Sequence, residues 1–124
     1  MNILRYPSIV LLAFVIAGCA TAGKYDWGNY DRSLYQYYKD PSISDKHMAE
    51  LAAIIESAAK TNAKVAPGIH AEYGYFLLQR GRASEARKQF EMEKAAWPES
   101  SQFMTAMIGI SDDRKTRQIV EKNK

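Results

Sequence analysis

Few side chains in this sequence could do nucleophilic, acid–base or metal chemistry. There is one cysteine, Cys19, and there are two histidines, His47 and His70. The histidines fall on different predicted helices and lack the paired spacing of a helical zinc site. Most aspartates fall in predicted caps and turns, where a carboxylate accepts hydrogen bonds from free backbone N–H groups. We therefore predict no catalytic residue, no metal and no cofactor, and expect that the protein is not an enzyme.

The alternative is an enzyme whose polar groups meet only in the folded chain. It requires a deep polar pocket that joins His47 or His70 to a carboxylate, because general acid–base catalysis needs such groups within hydrogen-bond reach of the substrate. A carrier of a small ligand is a third possibility and would need an apolar cavity between helices. Nothing in the sequence indicates a particular ligand.

The N-terminal segment is typical of an export signal. Arg5 is the only charged side chain before Lys24, and residues 8–17 read SIVLLAFVIA, an almost wholly apolar run. A membrane span needs about 20 apolar residues, so a run of this length preceded by a basic residue favours a signal peptide. We predict that residues 1–18 are this signal peptide.

The end of that run bears on the role of the cysteine. Ile16-Ala17-Gly18-Cys19 resembles the lipobox of bacterial lipoproteins, which has an aliphatic residue, two small residues and a cysteine. The resemblance implies cleavage before Cys19 and acylation of its thiol, for example with palmitate. Two or more acyl chains hold a protein firmly on a membrane, at about 0.8 kcal/mol per buried methylene. The other reading is a buried structural cysteine after an apolar helix.

The residue after Cys19 indicates which membrane the protein is anchored to. Ala20 stands where the enterobacterial sorting rule has an aspartate for retention in the inner membrane, so we expect the outer membrane, with the domain on the periplasmic face. Residues 19–24 would form a lipidated tether and residues 25–124 the folded domain. A formal net charge of +3 is weak, and an exported protein rarely meets nucleic acid, so we expect no nucleic-acid partner.

Apolar residues recur at helical spacing along the domain, and no segment has the alternation of a strand. In the first predicted helix Tyr30, Leu34, Tyr37 and Tyr38 share a face, and in the last one Gly109 and the pair Asp112-Asp113 weaken the pattern. With a single cysteine the fold depends on its hydrophobic core, because no disulfide can form within the chain. We predict an all-α domain of five helices of roughly 10 to 18 residues, over Tyr30 to Lys39, Ser44 to Lys60, Pro67 to Gly81, Ala83 to Pro98, and from Ser100 or Ser101 onward.

Part of the chain resembles a degenerate tetratricopeptide repeat, a helix pair of 34 residues. Glu93 and His70 depart from the template. Glu93 stands where a small residue is expected, and His70 stands where tryptophan is common. Such repeats stack on their neighbours to share a core. The alternative is a generic helical bundle. The matches, counted from Pro67 as position 1, are Gly74 at 8, Gly81 at 15, Ala86 at 20, Phe90 at 24 and Pro98 at 32.

A second resemblance covers most of the chain. The tyrosine-rich opening WGNYDRSLYQYYKDP, from Trp27 to Pro41, is similar to that of the domain-of-unknown-function 4810 family of small bacterial lipoproteins. Members are usually encoded beside a lipoprotein similar to the curli-secretion pore protein, so the resemblance implies a role in cell-envelope assembly. It assigns no catalytic residue. Further matches are Pro67-Gly68, Glu72-Tyr73-Gly74, Ala86 to Phe90, and Trp97-Pro98-Glu99-Ser100.

These observations predict a membrane-anchored module that binds another envelope lipoprotein. Exposed aromatic side chains mark partner surfaces, because they bury a large area at a small entropic cost. Packing in the core is the alternative role for each of these rings. The predicted partner-binding residues are Trp27, Tyr35, Tyr73 and Phe76.

Overall fold

A computed structural model describes residues 23–123. The predicted signal peptide and the predicted lipidation site, with Ile16, Ala17, Gly18 and Cys19, lie outside these residues. The described part is all-α and contains no strand, which confirms the predicted fold class. Five helices run Tyr30–Lys39 (α1), Ser44–Thr61 (α2), Ile69–Gln79 (α3), Ala83–Ala96 (α4) and Ser101–Lys122 (α5), with short 3-10 helices over Pro41–Ile43 and Pro98–Ser100.

The boundaries of α1 and α3 have local causes. Asp40 is extended and precedes Pro41, which disfavours helical geometry in the residue before it. Gly81 has a φ of +74°, a left-handed conformation that glycine adopts without strain. Its N–H bonds to the carbonyl of Leu78 and that of Arg82 bonds to Leu77, so the last carbonyls of α3 are satisfied. The predicted ends of both helices are confirmed.

The core lies where α2, α3 and α4 meet. Consecutive helices pack against each other along the chain, α1 on α2, α2 on α3, α3 on α4 and α4 on α5. The most enclosed large side chains come from the last four helices and form one continuous core. These side chains are Leu51, Ile69, Leu77, Phe90 and Met104.

Helices α3 and α4 cross closely at a glycine. Gly74 is buried, and a Cβ atom built on it would lie only 2.7 Å from Cε1 of Phe90. Phe90 is itself fully buried. The expected small position of the repeat is therefore a real point of helix contact. Sequential helix pairs fit a tetratricopeptide-like stack, and that finer assignment stays a prediction.

Two expectations about the helices are wrong. Tyr38 was expected in the buried stripe of α1 but is 81% exposed, because the buried face instead follows Tyr30, Ser33 and Tyr37. The last helix, α5, runs for 22 residues, longer than the predicted 10 to 18, and continues through Gly109 and Asp112-Asp113. Side chains of its C-terminal half bond to carbonyls at the end of α3, which holds the helix in place: Arg114 to Leu78 and Gln118 to Gly81.

Candidate functional site

A chain of polar side chains connects α1, α2 and α3 inside the domain. The imidazole of His47 is fully buried, and its Nδ1 lies 2.8 Å from Oγ of Ser33. Its Nε2 lies 2.8 Å from Oε1 of Glu72. A carboxylate only accepts hydrogen bonds, so Nε2 carries a proton and donates it to Glu72. We call Ser33, His47, Glu72 and Tyr30 the buried polar network.

Tyr30 completes the network from the start of α1. Its hydroxyl donates to Oε2 of Glu72 over 2.8 Å, so both carboxylate oxygens are engaged. Burial of the ring, followed by the hydrogen bond and the negative charge of Glu72, raises the pKa of the Tyr30 phenol well above its ordinary value. The phenol therefore stays protonated and remains a donor throughout the physiological range.

The network has the order of groups found in serine hydrolases, a hydroxyl, an imidazole and a carboxylate. Its surroundings indicate a structural role instead. His47 stacks on Tyr37 with ring centroids 5.5 Å apart and meets Phe76 edge-on at 5.7 Å. The Ser33 hydroxyl also lies 3.0 Å from the carbonyl oxygen of Tyr30, an acceptor within its own helix. No face of the imidazole is open to a substrate.

A shallow polar pocket lies on the outer side of Ser33. It has a volume of about 320 Å³, and Asn29, Arg32, Lys46 and Glu50 contribute to its walls. Neither His47 nor Glu72 lines it. This pocket therefore does not join His47 to its carboxylate, as the enzyme alternative would require of that histidine.

His70 and Glu93, the two departures from the repeat template, are both buried. Nδ1 of His70 donates to Oε1 of Gln89 over 2.7 Å. Oε1 of Glu93 accepts from the backbone N–H of Gly68 over 2.7 Å, so the carboxylate caps the start of α3. Glu93 stands where the repeat template has a small residue, and its hydrogen bond to the start of α3 explains why a long acidic side chain fits there.

The predicted partner-binding residues fall in different environments. Trp27 and Tyr35 are exposed, and Tyr73 is half-buried against the core. Phe76 is only 2% exposed, because it points between α2 and α3 toward His47. Its assignment to a partner surface is therefore corrected to a core position.

Tyr75, the residue before Phe76, faces outward instead. Tyr75 is 48% exposed, and Phe103 on α5 is 63% exposed. Between them lies an almost wholly apolar groove of about 310 Å³, whose walls include Ala71, Phe90 and Met107. We call it the Tyr75–Phe103 groove. Sequence reasoning missed both rings, since it assigned the outer face of α3 to Tyr73 and Phe76.

Two further features of the described residues concern metal ions and membranes. Between residues 23 and 123 no group of three or more histidine or acidic side chains is placed to hold a metal ion. Within the same range no helix combines the length and the apolar character that crossing a bilayer would require.

Comparison with known proteins identifies the family. No curated protein and no solved structure is significantly similar to this chain. One family model matches residues 24–107, well over half of the 124 residues, and its description is domain of unknown function, DUF4810. The matched range contains α1 to α4, the buried polar network and both rings of the Tyr75–Phe103 groove. The chain belongs to the DUF4810 family.

Proposed function

We propose that this protein is a lipid-anchored interaction module of the bacterial cell envelope. Acyl chains on Cys19 would hold it on the periplasmic face of the outer membrane. The helical domain would bind another envelope lipoprotein, and we take as candidate partner one similar to the curli-secretion pore protein. The motif at residues 16–19 supports the anchor.

The observation that carries the binding role is the Tyr75–Phe103 groove. Its lining is almost entirely apolar, and two large rings are left in solvent at its edges. Aromatic side chains beside an apolar depression are the usual anchors of protein interfaces. Trp27 and Tyr35 add exposed aromatic surface near α1 and stay in the proposal with the half-buried Tyr73, whereas Phe76 does not.

The test is capture of the partner by the protein solubilised from membranes in detergent. We expect the wild-type chain to co-purify with the pore-like lipoprotein, and the double variant Tyr75→Ser, Phe103→Ser to lose most of it. Removing two interface anchors weakens binding by about 2 kcal/mol or more each. The captured amount is read by quantitative mass spectrometry.

The matched control is Ile119→Ser, which removes an apolar side chain of 52% exposure from the C-terminal half of α5, away from the groove. Capture unchanged in this variant and lost in the double variant supports the groove. Equal loss in both, with helical content intact, would place binding elsewhere, and no specific capture by the wild-type chain would contradict the module itself.

The alternative is an envelope enzyme acting on peptidoglycan or glycan. Its one favourable observation is the order Ser33, His47, Glu72, which suits acyl transfer such as removal of an ester group from a glycan. A fluorophosphonate probe, which labels activated serine hydroxyls, tests it. Because His47 is enclosed, we expect the probe not to label Ser33. Labelling that is lost in Ser33→Ala but kept in the control variant Ser84→Ala would favour the enzyme.

A further inference from the structure

The start of the described chain packs against the end of α4. The ring of Tyr25 meets Trp97 edge-on at 5.6 Å between centroids. Nζ of Lys64 lies 3.5 Å from the centroid of the Trp97 ring, and Nζ of Lys24 lies 5.5 Å from that of Tyr25. Two half-buried rings and two ammonium groups thus form one cluster. We call it the Tyr25–Trp97 face.

An apolar groove continues from this cluster. Lys64, which covers Trp97, also lines a depression of about 490 Å³ between α2, α3 and α4. Its lining is mainly apolar, and Ile55, Val65 and Met92 contribute to it, with Met92 exposed to solvent. The rings, the ammonium groups and the groove therefore occupy one side of the domain.

The composition of this side is that of a membrane interface. Tryptophan and tyrosine concentrate at the headgroup level of bilayers, and both rings here are partly exposed. Lysine side chains lay their methylenes on apolar surface and direct the ammonium to the headgroups. Within residues 23–123 neither Lys24 nor Lys64 is ion-paired, whereas the nearby Lys60 is held by Glu56.

The short distance along the chain between this face and Cys19 favours a membrane as the surface that covers it. Tyr25 lies six residues after Cys19, and six extended residues span at most about 20 Å. A lipidated Cys19 therefore holds Tyr25, and with it Trp97, within about 20 Å of the bilayer surface. A domain tethered this closely presents the face next to its tether to the headgroups.

We propose that the Tyr25–Trp97 face and its adjoining groove rest on the phospholipid surface, with Lys24 and Lys64 at anionic headgroups. This inference rests on the proposed anchoring at Cys19. It orients the domain and leaves the Tyr75–Phe103 groove for a protein partner, because the two grooves share no lining residue.

The two tryptophans of the chain provide the test. Trp27→Phe leaves only Trp97, and Trp97→Phe leaves only Trp27. The second change removes no hydrogen bond, since Nε1 of Trp97 is buried without a partner. Each membrane-purified variant is reconstituted into vesicles of phosphatidylethanolamine and phosphatidylglycerol, with or without bromine on the acyl chains. Bromine quenches indole emission only at close range.

We expect brominated vesicles to remove most of the emission of Trp97 and much less of that of Trp27. Lys64→Glu should reduce the loss at Trp97, because it repels the headgroups from the cluster, whereas Lys122→Glu at the end of α5 should not. Quenching of Trp27 equal to or greater than that of Trp97 would overturn the proposed orientation. So would unchanged quenching in the Lys64→Glu variant.

The mass of the purified chain separates this inference from the proposal beneath it. A bare thiol at Cys19 with residues 1–18 still attached would contradict the anchored module. A lipidated, membrane-bound chain whose Trp97 emission survives bromination would contradict only the membrane face, and would leave that surface to a protein partner instead.

Discussion

Phe90→Ala is expected to lower the free energy of unfolding by about 3–5 kcal/mol. Phe90 is fully buried at the crossing of α3 and α4, and its ring lies against Gly74. Truncation loses the transfer free energy of the ring and leaves a cavity that the two helices close only in part. Domains of this size are stable by about 5–15 kcal/mol, so the loss is a large part of the total. Denaturant unfolding of the full chain in detergent, followed by helical circular dichroism, measures it.

Gly74→Ala tests the same contact from the other helix. Its added methyl group would meet the Phe90 ring at 2.7 Å, so overpacking of about 1–3 kcal/mol is expected to exceed the helix-propensity gain of about 0.5–1 kcal/mol. In the Phe90→Ala background the ring is gone, and the same change should become neutral or stabilising. The two effects should therefore not add.

Gly109→Ala is the matched control within α5. A Cβ atom there meets nothing within 4 Å, so this substitution should raise the unfolding free energy by about 0.5–1 kcal/mol. Strict additivity of the Gly74 and Phe90 substitutions, or a stabilising Gly74→Ala in the wild-type background, would show that the two helices do not depend on this contact.

Glu72→Ala is the second substitution with a large expected effect, a loss of about 2–4 kcal/mol of unfolding free energy. It removes the acceptor of both His47 and Tyr30. The imidazole is fully enclosed by its other neighbours, so its N–H loses a charged acceptor and bears part of its desolvation penalty. The same unfolding measurement applies.

Glu72→Gln distinguishes the hydrogen bonds from the packing of the side chain. The amide oxygen can still accept from His47, so most of the stability should be retained. Glu121→Ala, at an exposed position near the end of α5, should change the unfolding free energy by less than about 0.5 kcal/mol. A Glu72→Ala variant as stable as this control would mean that the buried polar network contributes nothing to the fold.

The helix contact at Gly74 could be predicted from the sequence, whereas the hydrogen-bond partners of Glu72 could not. A glycine in a helical segment, 16 residues before a phenylalanine, matched a known close approach of paired helices, and the contact is there. Pro41, Gly81 and Pro98 end helices for reasons local to the backbone. Local chemistry was therefore enough to predict the all-α class and nearly every helix boundary.

Partners distant along the chain were beyond such reasoning. Ser33 and His47 are 14 residues apart, and His47 and Glu72 are 25 apart, so no local spacing reveals that they meet. Periodicity also assigned Tyr38 to the buried side and left Tyr75 unassigned, although the structure exposes both. A helical pattern identifies an apolar stripe about 100° wide but does not say which neighbour covers it.

What the amino-acid order determined by itself is the set of elements, because turns, caps and helical stripes depend on residues within a few positions of one another. The packing of the helices against one another decided the rest. It turned His47 into an enclosed core residue, moved Phe76 inward and Tyr75 outward, and placed Trp97 beside Tyr25, since burial depends on which helices meet.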